Sequence, residues 1–292
     1  MSNLSHENSF AVLLTVYNGA KFLKEQIDSI LSQKMVDVHV FVSIDKSTDN
    51  SLHIVNSYMK SFSNITLLPY GEVYGSAAKN FFRLILEADV SSNFKYIALS
   101  DQDDIWAEEK LYYAASIMRE RDCSGYSSNL NAFWPDGRQE LIVKSRNTTS
   151  LDFLYESASA GCTFCLSFTL YDGFKSFLAS CSERDYISSH DWLIYAYSRF
   201  NGERWFCDDR AMIFYRQHAN NVAGANIGLF SKVKRINVLL FGWYRYDQSI
   251  IARYFGYGES RFERLSRGVG AFRRKPAESF VIFFLVLLGI LK

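Results

Sequence analysis

The chain opens without the apolar core of a secretory signal. Met1 to Ser9 is polar, so no export leader is expected. Cysteine is sparse: Cys123, Cys162, Cys165, Cys181 and Cys207 form an odd, scattered set. That argues against a disulfide framework and for a reducing compartment. Cys162 and Cys165 make one CxxC, but no second CxxC or histidine pair stands at metal spacing, so small apolar packing is the expected role. No Gly-x-Gly-x-x-Gly follows the first apolar run. Tyr17-Asn18-Gly19-Ala20-Lys21 stands there instead, which excludes a Rossmann oxidoreductase. Thr15 to Lys24 holds one glycine and no arginine, unlike the Gly-rich basic loop of a nucleotidyltransferase. Internal repeats and low-complexity linkers are missing.

What is present suits a globular protein of 292 residues, with 48% hydrophobic and 22% charged residues. That allows a sizeable core in one large domain, or one domain with an appendage. Aromatics reach 16%, which fits stacking on flat rings, contact with a membrane surface or an aromatic-rich core. The net charge of +1 hides an asymmetry. Residues 230–275 carry 11 Lys/Arg against 3 Asp/Glu, a net of +8, while residues 1–229 are net −7. A basic tail on an acidic body is expected to meet something anionic.

The first hundred residues alternate strand and helix. Strands are expected at Phe10–Val16, Val38–Ile44, Ile65–Leu68 and Tyr96–Leu99. Helices are expected over a segment with Phe22, Leu23, Ile27, Ile30 and Leu31 on one face, over Ser51–Met59 and over Ala77–Ala88. This order predicts an α/β fold, with a mostly parallel central sheet and helices on both faces. Further on, Gly161–Leu170 suggests a buried strand, Asp191–Arg199 a helix and Ala211–Arg216 a short strand. The composition shifts near Gly224–Gly228. A first domain is therefore expected over residues 1–228, and a basic, aromatic, helical region over 229–292. Helices are expected there around Ser231–Leu240 and Gln248–Phe255.

Ligands of an open parallel sheet bind at the carboxyl ends of its strands. Thr15, Tyr17 and Asn18 follow the first strand, and Asp45 and Asp49 the second. Gly71, Gly75, Lys79 and Asn80 follow the third, and Asp101, Gln102, Asp103 and Asp104 the fourth. The last group, in Ser100-Asp-Gln-Asp-Asp-Ile-Trp106, is the sharpest feature. Three carboxylates so close repel one another unless a cation or solvent screens them. Hard oxygen ligands suit Mg2+ or Mn2+, and the alternative is an acidic turn capping a helix near Ala107. Asp45 either accepts from a nucleobase N–H or shapes a turn, and Asp49 is a candidate cap for the helix at Ser51. Asp191, in His190-Asp191-Trp192, is either a general base or an N-cap. His218, in Tyr215-Arg-Gln-His-Ala-Asn-Asn-Val-Ala-Gly224, is a metal or phosphate ligand or a structural residue.

These residues, in this order, resemble the family 2 glycosyltransferases with the GT-A fold. Val12–Gly19 is similar to that family's strand-plus-YNG opening. Ile44-Asp-Lys-Ser-Thr-Asp49 resembles its DDGSTD segment, with Ile44 for the first Asp and Lys46 for the Gly. Ser100–Trp106 is close to the form of bacterial rhamnosyltransferase-like members, and Gly161-Cys-Thr163, His190-Asp-Trp192 and Tyr215–Gly224 follow in that subgroup's order. The resemblance spans about residues 10–225. It implies an inverting transferase using a nucleotide-diphospho-sugar, with dTDP-L-rhamnose ahead of a UDP-hexose. The acceptor would be a lipid-linked or growing polysaccharide of the cell surface, such as an O-antigen or capsule. The implied roles place the nucleoside on Thr15, Tyr17 and Asp45, helped by Lys79 or Asn80. Asp101 and Asp103 would form the metal motif for Mg2+ or Mn2+, with Asn18 and Gln102 beside the donor. Asp191 would be the catalytic base, and His218 would help to hold the metal or diphosphate. A catalytically inactive nucleotide-sugar or glycan-binding module is the competing class.

The end of the chain points to a membrane. Phe280–Leu291 is an apolar run preceded by Arg273, Arg274 and Lys275. Twelve helical residues reach only about 18 Å, against a hydrocarbon core of about 30 Å. The segment is expected to lie in one leaflet of an anionic membrane surface, or to pack on protein. The expected place is cytoplasmic, peripherally on the inner face of the cell membrane, with no nucleic-acid partner.

Overall fold

The computed structural model describes residues 7–218, 242–256 and 259–291. Strand β1 (Ser9–Val16) lies between β2 (Asp37–Ile44) and β4 (Tyr96–Ser100), and β3 (Ile65–Leu67) adds to β2; all these pairs are parallel. All eight residues of β1 are buried, as a strand covered on both faces must be. Its alternate side chains feed two cores. Phe10, Val12 and Leu14 pack with α1 (Leu23–Leu31), α2 (Ser51–Ser61) and α4 (Lys110–Glu120) on one face. Ala11 and Leu13 pack with α3 (Ala77–Glu87), α5 (Phe168–Ser180) and α6 (His190–Phe200) on the other.

Beyond β4 the sheet becomes mixed. The strand order is β3-β2-β1-β4-β8-β6-β9-β5, with β7 paired to β6. Strand β8 (Cys165–Ser167) runs antiparallel to β4 and to β6 (Gly125–Phe133). Strand β9 (Trp205–Arg216) is parallel to β6 and antiparallel to β5 (Ile105–Trp106), and β7 (Gln139–Ile142) forms a hairpin with β6. The expected strand over Gly161–Leu170 is instead a 3-10 turn at Gly161–Thr163, the short β8 and the start of α5. Ser167 ends the strand because its hydroxyl accepts the N–H of Leu170 and caps α5.

The end of the chain belongs to the same body. Helices α7 (Trp243–Phe255), α8 (Arg261–Ser266) and α9 (Pro276–Leu287) follow the last strand. Tyr244, Ile250, Ile251, Phe272, Ile282 and Val286 join the core cluster that holds Trp192 and Leu193. The boundary expected near residues 224–228 and the helix expected over 231–240 lie outside the described residues. Among the described residues, no helix is long and apolar enough to cross a membrane.

Candidate functional site at the strand ends

The carboxyl ends of β1, β2 and β4 lie side by side, because the strands pair in register: Val16 with Ile44, and Leu14 with Ser100. The backbone of Tyr17 is held by the Gln102 side chain, which accepts from its N–H at 2.8 Å and donates to its carbonyl at 3.0 Å. Gly19 packs against the same amide, where a Cβ would stand 2.3 Å from Gln102 Oε1. Gln102 therefore ties the β1 loop to the acidic loop. The Tyr17 ring is exposed and Thr15 is buried. Asn18 has a positive φ of 46°, and its side-chain carbonyl accepts the Thr48 N–H at 2.8 Å. Asp49 accepts from Ser51 and from the Ala20 N–H, a structural task in the same loop.

Asp45 is buried, and its two oxygens accept the backbone N–H groups of Tyr74 and Gly75 at 2.9 and 2.8 Å. In this conformation it fastens the loop leading to α3. Lys79 is half-buried in the first turn of α3. Asn80 departs from its expected role. At 2% exposure it accepts from the Ser43 hydroxyl and donates to the carbonyls of Val16 and Ser43. It laces β1 to β2.

The acidic loop divides its labour. Asp103 accepts from His218 Nε2 at 2.7 Å, so the two residues expected at a metal meet directly. Asp104 is fully buried and takes the Arg216 N–H at 3.3 Å, and among the described residues its Oδ2 has no hydrogen bond of ordinary geometry, with the Cys162 thiol beside it. Arg216 also donates to the Asp103 carbonyl at 3.0 Å and to Glu25 at 2.6 Å, clamping the end of β9 over the loop. Donor atoms of Asp101, Asp104 and Cys162 lie within 4.8 Å of one another. Burial, and then the charges of Asp103 and Asp191, push the Asp101 carboxyl up to about 7. Burial also drives the Cys162 thiol well up, with Asp104 and Asp101 adding to it. A protonated thiol is a poor partner for a hard cation, whereas crowded carboxylates with an orphaned oxygen suit one.

Asp191 completes the cleft. Helix α6 starts at His190 with Ser189 as N-cap, so Asp191 sits in the first turn rather than at the cap. Its Oδ1 accepts the N–H of Trp192 at 2.8 Å, and a negative charge is favoured at a helix start. A Cβ on Gly161 would stand 3.2 Å from Asp191 Cβ and 2.7 Å from His190 Nε2. Only glycine lets α6 approach the turn that carries Cys162. His190 stacks on Phe81, ring centroids 4.0 Å apart. Arg216 and Cys162 stand inside stretches that the motifs already mark, but only the folded sheet brings them to the acidic loop.

A parallel nucleotide-binding half-sheet, an acidic loop past its fourth strand and a facing carboxylate on a helix start define a GT-A nucleotide-sugar transferase. A model of glycosyl transferase family 2 matches residues 11–169. The dTDP-rhamnosyl transferase RfbG of Shigella flexneri is 35% identical over 289 residues, covering 95% of this chain and 100% of that protein. The chain belongs to glycosyl transferase family 2. Solved structures share the fold at lower identity. TarS 1-349 of S. aureus superposes with a TM-score of 0.57 at 18% identity, covering 97% of this chain and 81% of that one. The mannosyltransferase PcManGT of Pyrobaculum calidifontis, in complex with GDP-Man and Mn2+, gives 0.54 at 13% identity, covering 96% and 85%.

Proposed function

We propose that this glycosyltransferase is metal-dependent and inverting, and that it moves L-rhamnose from dTDP-L-rhamnose to a lipid-linked or growing cell-surface polysaccharide. The position of Asp191 supports the mechanism: it stands in the first turn of α6, and its charge is among those that raise the Asp101 carboxyl. Asp101 and Asp103 would hold Mg2+ or Mn2+, helped by His218, which bonds Asp103. The bound ion would neutralise the departing diphosphate. Asp45, Tyr17 and Thr15 border the nucleoside side, while Gln102 fixes the loop between donor and metal. Asp191 takes the acceptor hydroxyl proton as attack develops opposite the leaving group, and a single displacement with one base inverts the anomeric carbon. The donor assignment is supported by the relative that matches nearly the whole chain, and a UDP-hexose is the alternative.

A thermal-shift panel of nucleotide sugars with Mn2+ tests the donor. The true donor should give the largest rise in Tm, because stabilisation grows with concentration over Kd. A larger rise with UDP-hexoses than with dTDP-L-rhamnose would reassign it. Asp191→Asn tests the base: turnover should fall about 10²-fold or more with little change in donor binding, and near-normal turnover would place the base elsewhere.

Residues 242–291 are proposed to contact the cytoplasmic face of the membrane, through apolar side chains more than through charge. Arg253, Arg267, Arg273, Arg274 and Lys275 are all engaged in ion pairs with the protein's own carboxylates. Phe280, Val281, Phe284, Leu287 and Leu288 of the last helical segment are exposed, as are Trp243 and Phe262.

A further inference from the structure

Helix α6 does not cap its own start: the Ser189 side chain makes no capping hydrogen bond. The N–H groups just ahead of the helix are taken by a residue from a different part of the chain. Asp247 of α7 accepts the Ser188 N–H on both oxygens, at 3.0 and 3.1 Å, and the Ser189 N–H at 2.9 Å. It is fully buried, yet these bonds are almost all that an acceptor-only group can use there. A second contact fixes the same two helices, with Tyr244 stacked on Trp192 at 5.1 Å and an interplanar angle of 25°. The Tyr244 hydroxyl donates to the Tyr155 carbonyl at 2.7 Å. Thus the residues on either side of His190-Asp191 are gripped by α7. Asp247 also feels the charge of Asp191, after the larger effect of burial, which raises its carboxyl.

We propose that Asp247 is a positioning residue for glycosyl transfer: by holding the backbone of Ser188 and Ser189 it sets where the Asp191 carboxylate points. This rests on Asp191 acting as the base. It gives the C-terminal helices a part in the chemistry, since a shift of the α6 start moves the base relative to the acceptor hydroxyl. A misplacement of about 1 Å is enough to cost about 10²-fold in rate. Donor binding, which is built on β1, β2 and β4, should hardly notice.

Steady-state kinetics on the full chain, with Asp247→Ala, Asp247→Asn, Asp191→Asn and the Asp247→Ala/Asp191→Asn double variant, test the idea. Asp247→Ala should lower kcat about tenfold or more while the donor KM stays within about twofold. Asp247→Asn, which keeps one accepting oxygen, should recover part of that loss. Amide exchange measured by mass spectrometry should speed up over residues 187–192 in Asp247→Ala. In the double variant the two losses should fall well short of multiplying, because a misplaced base and a missing base are the same defect. Unchanged kcat in both Asp247 variants, losses that multiply, or equal changes in kcat and donor KM would overturn the positioning role. A fully active Asp191→Asn would remove the base assignment instead. The exchange rates and the kcat of Asp247→Ala would then still report on the grip itself.

Discussion

Asp103 and Asp101 face different consequences of the same crowding. Asp103 has a hydrogen-bonded histidine, whereas Asp101 has buried surroundings and two like charges. Asp103→Ala should abolish transfer while the melting curve stays close to that of the parent, and excess EDTA should do the same to the parent protein. Full turnover in EDTA would sink the metal reading. The pH dependence has a definite sign. The Asp101 carboxyl, pushed up to about 7, holds its proton below that pH. A cation binding there must displace it, so Mn2+ affinity should weaken as the pH falls from about 8 to about 6 and level off above. Calorimetric titration in buffers of different ionisation enthalpy would detect the released proton; affinity that is flat across that range would show that Asp101 is not a ligand. Asp45, Asp101 and Asp103 could be gathered from sequence because strand ends converge in a parallel sheet, whereas Asp191 and His218 joined them only through the family resemblance. The framework task of Asn80 was not legible, because its partners Ser43 and Val16 are set by strand pairing rather than by spacing along the chain.

At the scale of elements, the alternating β–α pattern of the first hundred residues was readable from periodicity, and strands β1 to β4 lie within two residues of their expected bounds. The misreading came at Gly161–Leu170. Cys162, Phe164, Cys165 and Leu166 are all fully buried, so no alternation marks where β8 stops. A continuous apolar run does not separate strand from helix. The turn at Gly161–Thr163 has its own purpose, since at Gly161 it packs directly against the start of α6. Gly161→Ala should push His190 and Asp191 away, because its Cβ would meet them at 2.7 and 3.2 Å. The expected result is a large loss of kcat with donor binding nearly intact, read by single-turnover transfer beside a donor titration. Unaltered turnover would mean that α6 tolerates the shift and that the glycine serves the turn alone.

At the scale of the whole molecule, the charge asymmetry was legible in sequence, and part of it is taken up inside the fold. Arg274 is almost fully buried and bonds Glu156 at 3.0 Å, the Ala158 carbonyl at 2.5 Å and the Ser157 carbonyl; it lies 3.6 Å from the buried Asp152. Arg199 and the Tyr195 hydroxyl complete the shell of Asp152. Arg274 thereby anchors the C-terminal segment to the body. Arg274→Met should cost about 3 kcal/mol or more in denaturant unfolding, because it strands buried carboxylates; a change within error would show that Asp152 and Glu156 are satisfied without it. Removing the tail at residue 228 would expose the shared core and so cannot test membrane contact cleanly. Surface substitutions can. The rings of Phe280 and Phe284 meet at a tilt of 53° with centroids 4.7 Å apart and are 54% and 42% exposed, while Leu288 is 69% exposed. A monomeric soluble surface has little reason to collect these side chains on one helix, and rings and aliphatic chains of this kind favour the boundary between headgroups and acyl chains. Phe280→Ser/Phe284→Ser should therefore leave melting and donor binding nearly unchanged. The same variant should reduce co-sedimentation with anionic vesicles severalfold. For the parent protein, salt should remove only part of the binding, because most of the described cations are already paired within the fold. Equal pelleting of parent and variant, or binding that vanishes entirely in salt, would shift the anchoring away from this helix face.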